Sequence, residues 1–199
     1  IFLSNMATAS AVRGKPNDYY RDKIWYQRCI FMDQTSKYVG GIDVSRSATI
    51  FVTDCKFINN TAMFDAGAVY INIALKLLCK NNLFYNNIAS YGGACYFYIV
   101  TQNVNINNTF VKNSANIEGS SIYFTQVENI LNKNCSFCHN SNQVLVAEHS
   151  KHFTNENCLF YKNKNILYGV QGKVFKNIHC IFQNNVGGSF TNAAVSGAI

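Results

Sequence analysis

The sequence predicts an all-β fold, a single-stranded parallel β-helix of about eight coils of 22–29 residues, and three observations predict it. The motif Phe-x-x-Asn returns at Phe2/Asn5, Phe57/Asn60, Phe84/Asn87, Phe110/Asn113, Phe137/Asn140, Phe160/Asn163 and Phe182/Asn185, with Phe31/Gln34 as a near match. The steps between successive Phe are 29, 26, 27, 26, 27, 23 and 22 residues, regular enough to mark a repeat and too short for a strand-helix-strand unit. Within a unit, like residues fall at i and i+2, the spacing of a strand, and no apolar stripe of period 3.6 persists. Helical repeats are excluded on that ground, and a leucine-rich repeat by the missing Leu-x-x-Leu-x-Leu frame. What remains is a coil of short strands and turns, each stacked about 4.8 Å above the last.

Each column of the repeat then has a physical task. Two residues before Phe stand Cys29, Cys55, Asn82, Asn108, Cys135, Cys158 and Cys180, on the same side of the strand as Phe. Stacked coils would bury a Phe ladder beside a Cys/Asn ladder. The motif Asn is placed at a corner, where Asn tolerates left-handed backbone angles and stacked amides can hydrogen-bond along the axis. Five residues after Phe stand Ala7, Ser36, Ala62, Ala89 and Ala115. Gly40-Gly41-Ile42, Ala66-Gly67-Ala68, Gly92-Gly93-Ala94 and Gly119-Ser120-Ser121 then give a second corner needing positive φ or close backbone approach. Val44, Tyr70, Tyr96 and Tyr123 follow as a further column.

Composition agrees with a folded chain. The 199 residues are 48% hydrophobic and 14% charged with one proline, which excludes disorder as a description. Asn is the outlying type, 28 residues, and the repeat accounts for part of it. One domain over 1–199 is expected, with regular repeats over 1–139 and shorter, degenerate ones over 140–199. No apolar run approaches the roughly 20 residues that span a bilayer, so any membrane association is expected through parts outside this segment. Both ends fall inside a repeat, which suggests a fragment of a longer solenoid whose neighbouring coils are its first partners.

The stretches "FINN", "FYNN", "FVKN", "FCHN", "FYKN" and "FQNN", alternating with "GGID", "AGAV" and "GGAC", resemble the repeat of the polymorphic membrane proteins. That family occurs on chlamydial autotransporter passengers and in large surface proteins of some protists. The resemblance runs from residue 1 to 185, although the Gly-Gly-Ala element disappears after Asn140. It implies a right-handed β-helix of the pectate-lyase-like kind, in keeping with the general preference for right-handed crossovers. It also implies surface display and adhesion, with a cell-surface or extracellular location.

Several constellations bear on chemistry. "CSFCH", Cys135 to His139, fits the attachment pattern of c-type haem, but Cys135 and Phe137 already have places in the ladders, and no cofactor is expected. Cys135, Cys138 and His139, even with His149 or His152, lack the second pair of a closed zinc site, so no metal is expected either. Cys29 and Cys55, and likewise Cys135, Cys158 and Cys180, would stack on successive coils at a separation a disulfide accepts; disulfides and stacked thiols both fit. Asn59, Asn107 and Asn134 begin glycosylation sequons.

A polysaccharide lyase or glycosidase, as many parallel β-helices are, needs paired carboxylates or an acidic cluster. Among ten acidic residues, the register puts Asp65 and Glu118 in one column two coils apart with Tyr91 between, while Asp33, Asp43 and Asp54 fall on other faces. Asp65 and Glu118 are thus the catalytic candidates, and no cluster of three is expected. The net charge of +7 comes from dispersed Lys and Arg, and the aromatics have core spacing, so nucleic acid is not expected as a partner. The expectation is a non-enzymatic structural or adhesive segment presenting an extended face to protein or glycan partners. The alternatives are a polysaccharide-degrading enzyme and a rigid scaffold within an intracellular or filamentous assembly.

Overall fold

A computed structural model describes residues 22–170 and 174–187, together with strand backbone at 2–3, 6–7, 12–14 and 191–192. Asn5 and the closing stretch 193–199 lie outside the described residues. The described chain is strands and turns with no helix, and every strand pairs parallel to its neighbours, forming a β-solenoid.

Three sheets wrap the axis. The first holds the Phe strands: Phe2–Leu3, Ile30–Met32, Lys56–Ile58, Leu83–Tyr85, Thr109–Val111, Ser136–Cys138, Leu159–Tyr161 and Ile181–Gln183. In every pair Phe stands opposite Phe. The second sheet follows a turn later, in Met6–Ala7, Thr35–Ser36, Thr61–Ala62, Ile88–Tyr91 and Ser114–Glu118. The third is built on the 12-residue strands Ile42–Thr53, Val69–Lys80 and Cys95–Ile106, the last of which pairs with both Ile122–Thr125 and Asn129–Lys133.

Those long strands are bent. Arg46, Ile73 and Ile99 have φ of 61°, 64° and 52°, and Gln126 and His149 continue the column at 56° and 52°. A β-branched residue pays about 1–3 kcal/mol for that backbone, so Ile73 and Ile99 are held there by the ladders on both sides. The bend gives each coil a fourth straight side.

Among the described residues the solenoid makes about six turns rather than eight. The Phe sheet has eight strands, but the second sheet has five, because after Glu118 its corner strand dwindles to isolated bridges such as Ser114↔Ser141 and Lys164↔Val186. That is where the Gly-Gly-Ala element is lost.

The interior is a set of ladders. Phe31, Phe57, Phe84, Phe110, Phe137 and Phe160 are buried, and with Phe182 their rings stack at 4.7–5.0 Å between centroids. That spacing is the strand separation itself, so backbone register dictates ring stacking. Beside them Asn60, Asn87, Asn113, Asn140, Asn163 and Asn185 form an amide ladder. The Asn60 Nδ2 donates to Phe31 O at 3.1 Å and to Asn87 Oδ1 at 3.0 Å, and the same pair of bonds repeats up the axis.

These motif asparagines face inward. The left-handed corner residue is the one before each of them and before Gln34: Asp33, Asn59, Asn86, Lys112, His139, Lys162 and Asn184, with φ between 51° and 56°. At the other end of the Phe strand Arg28, Asp54, Asn81, Asn107, Asn134, Asn157 and His179 do the same. Asn is abundant because it serves two tasks, inner ladder and left-handed corner.

The Cys/Asn column also has one chemistry. The Asn82 Nδ2 donates to Val52 O at 2.7 Å and Asn108 Nδ2 to Cys79 O at 2.9 Å. Cys55, Cys135 and Cys158 aim their thiols at the corresponding carbonyls, Tyr26 O, Asn105 O and Asn132 O, at 3.4–3.6 Å. A thiol is a weak donor of similar reach, which explains why Cys and Asn exchange here.

The second corner is set by close approach. A Cβ on Gly40 would lie 2.1 Å from Gly67 O, and one on Gly67 2.1 Å from Gly93 O. Glycine lets successive corners stack without a gap, and this tight turn presents residues 63–65, 90–91 and 117–118 outward.

Candidate partner-binding face

The second sheet and the first side of the third sheet meet at that corner. In the third sheet Asp43, Tyr70, Tyr96, Tyr123 and Val146 stack in register, so the residue opposite Tyr70 is Asp43 and not Val44. Val44 pairs with Ile71 and is buried. The one-residue difference moves a carboxylate onto the outer face.

In the second sheet Tyr91 pairs with Glu118, and Tyr91 N donates to Phe64 O at 3.0 Å, which places Asp65, Tyr91 and Glu118 along one corner as the register predicts. The structure adds two carboxylates that the single column did not contain. Asp43 comes close enough to Asp65, and Glu148 to Glu118, for each to raise its neighbour's pKa. The expectation that Asp43 lies on another face is therefore corrected. The carboxylates form two pairs, one at each end of a tyrosine strip, and among the described residues no group of three could hold a metal ion.

The strip is held by its own contacts. Tyr96 packs edge-on against Tyr70 at 5.2 Å and Tyr123 at 4.8 Å, and Tyr91 lies 5.3 Å from Tyr123. The Tyr123 hydroxyl donates to Glu148 Oε2 at 2.6 Å. Burial, followed by the charge of Asp65, raises the Tyr70 phenol, and burial and the bond to Glu148 raise Tyr123, so both remain hydrogen-bond donors. Asp65 is raised by burial and then by Asp43; Glu118 is raised by burial and then by the charge and hydrogen bond of Glu148.

A carboxyl raised on folding makes the folded state bind more protons than the unfolded chain, so stability falls as pH climbs from the ordinary carboxylate range to the raised values. The expected result is that Asp65→Asn and Glu118→Gln raise the melting temperature near neutral pH and flatten its fall on leaving acid. Thermal melts between about pH 4 and about pH 7 check this; a difference between variant and parent melting temperatures that does not grow in the variants' favour as pH rises contradicts it.

Outside the strip runs an apolar ridge. Met63 is 62% exposed, Ile117 48%, Tyr38 46% and Phe64 43%. Tyr38 and Phe64 lie 5.7 Å apart, with Lys37 Nζ over the Tyr38 ring. The other exposed large apolar residues belong to the first and last described coils: Trp25, Ile178, Ile181, Phe182 and Val186. Sequence reasoning missed the ridge because Met, Phe and Ile look like core residues until the corner's direction is known.

The remaining candidates lie elsewhere. Asn59, Asn107 and Asn134 are exposed at the left-handed corners flanking the Phe strand. The Asn59 Nδ2 donates to Asp33 Oδ1 and Asn107 Nδ2 to Asn81 Oδ1. Cys29, Cys55, Cys135, Cys158 and Cys180 stack on the inner side of their strands, and all eight cysteines are free thiols. Cys135 faces the interior, whereas Cys138 lies beyond the buried Phe137 on the outer side of its strand, so "CSFCH" is split across the wall. Lys112, His139 and Lys162 line the first corner, Lys112 and Lys162 against Tyr85 and Tyr161.

No family model, curated protein or solved structure matches the chain.

Proposed function

We propose that the chain is a non-enzymatic structural or adhesive β-solenoid segment of a larger cell-surface or extracellular protein, presenting its second corner to protein or glycan partners. The observation that carries the reading is the division between inside and outside. Phe, Asn and thiol ladders fill the interior, while the middle coils leave an apolar ridge and a tyrosine and carboxylate strip at one corner. The resemblance of the Phe-x-x-Asn and Gly-Gly-Ala repeats to polymorphic membrane proteins supports display at a cell surface, and the three sequons agree with an exported chain. Solenoids of this kind offer extended faces to partners.

One observation favours a second reading, a polysaccharide-degrading enzyme: the raised carboxyls of Asp65 and Glu118 flank tyrosines, and perturbed carboxyls gather at active sites. Incubation of the purified segment with a panel of acidic and neutral polysaccharides, read by mass spectrometry for retained chains and for cleavage products, separates the two. The expected result is no cleavage. Products that vanish in Asp65→Asn and Glu118→Gln would replace the binding rod with an enzyme.

A further inference from the structure

The ridge and the strip together restrict what can sit on them. In the middle coils every exposed large apolar side chain, Tyr38, Met63, Phe64 and Ile117, lies at this one corner. Exposed apolar side chains clustered on one corner of a folded chain mark a docking site, and aromatic residues and Met are the types enriched at protein interfaces. Directly behind the ridge lie Asp65 and Glu118, with Asp43 and Glu148 beside them: four of the chain's ten acidic residues on one strip. Arg13 stands opposite Asp43 in the first coil, whereas the column from Tyr70 to Val146 and the one from Ser45 to Glu148 contain no Lys or Arg. In a chain with net charge +7, Asp65, Glu118 and Glu148 thus make the middle coils of this corner acidic, while Lys112, His139 and Lys162 sit at the first corner.

We infer that the second corner is the docking surface for a protein segment that presents lysine or arginine beside apolar side chains. The inference rests on the presenting-rod reading and names its partner. Apolar side chains of the segment cover Met63, Phe64 and Ile117, and its cations face Asp65 and Glu118, where paired carboxylates gain most from an opposite charge. Lys37 over Tyr38 closes one end and directs the cations toward Asp65 and beyond. A glycan fits less well, since Met63 and Ile117 offer neither a ring face nor a hydrogen bond, and the Tyr123 hydroxyl is committed to Glu148. An anionic lipid surface meets Asp65, Glu118 and Glu148, carboxylates of its own sign.

The test uses two labelled synthetic peptides, one alternating lysine with leucine and one alternating glutamate with leucine, titrated into the purified segment by fluorescence anisotropy. The lysine peptide is expected to bind in spite of the chain's positive charge, and the glutamate peptide at least about tenfold more weakly. Phe64→Ser with Ile117→Ser should weaken the lysine peptide about tenfold or more. Asp65→Asn with Glu118→Gln should weaken it similarly and flatten its salt dependence. On the unsubstituted segment, a photo-crosslinking lysine peptide should label residues 37–39, 63–65, 90–91 or 117–118, a readout that needs no variant to fold. Equal or tighter binding of the glutamate peptide, labelling confined to other faces, or variants that bind unchanged would overturn the inference. So would capture of anionic vesicles, or of a neutral polysaccharide, through the same residues without peptide binding; the polysaccharide result leaves the presenting rod standing, whereas polysaccharide cleavage removes the rod reading itself.

Discussion

Phe84→Ala is expected to cost about 3–5 kcal/mol, lowering the urea midpoint with little change in slope. Phe84 is fully buried, with Phe57 at 4.9 Å on one side and Phe110 at 4.7 Å on the other. The void left by its ring cannot close, because hydrogen bonds to both neighbouring strands hold their spacing, and Phe57 and Phe110 would have to leave their own coils to fill it. Phe84→Leu should cost less, about 1–1.5 kcal/mol. Phe182, partly exposed in the last described coil, should tolerate Ala far better than Phe84 does. A Phe84→Ala melt that overlays the parent would mean that the Phe column is not the core.

Asn87→Ala is expected to cost about 3 kcal/mol or more, because the fully buried side chain makes four hydrogen bonds. Its Oδ1 accepts from Asn60 N at 3.2 Å and from Asn60 Nδ2 at 3.0 Å; its Nδ2 donates to Phe57 O and Asn113 Oδ1, both at 3.0 Å. Alanine leaves several buried polar groups without this partner, each costing about 1–3 kcal/mol where unsatisfied. Asn87→Asp should be at least as damaging near neutral pH, since a carboxylate replaces the two donated bonds with an acceptor facing acceptors. Protonation restores one donor, so Asn87→Asp should recover partly in acid while Asn87→Ala does not. Denaturant melts at the two pH values check both; equal stability of Asn87→Ala and parent would show that the ladder is incidental.

The stacking register was legible because Phe-x-x-Asn is a translation: identical residues one coil apart must meet when parallel strands pair. Finer assignments depended on one-residue distinctions. The motif asparagines and the corner asparagines are adjacent, as in Asn59-Asn60 and Asn86-Asn87, and only the backbone shows that the first turns the corner and the second faces inward. Taking Val44 rather than Asp43 as the partner of Tyr70 hid one carboxylate of the strip, because adjacent strand positions face opposite sides. The inner ladder of Asn105, Asn132, Asn155 and Asn177, each five residues before a motif Phe, marks only the later coils, since Val52 and Cys79 hold the same column in earlier ones. The pairing of Glu118 with Glu148 joins different sheets and different coils, beyond the reach of any single column.

The claim that inner ladders hold the rod while its second corner stays free for a partner is tested most directly by one pair of urea melts. The first is Phe84→Ala; the second is the triple variant Met63→Ser, Phe64→Ser and Ile117→Ser. The expected result is a loss of about 3–5 kcal/mol for the first and a triple variant within about 1 kcal/mol of the parent. A triple variant as damaged as Phe84→Ala would make the corner part of the core and leave the rod without a face to present.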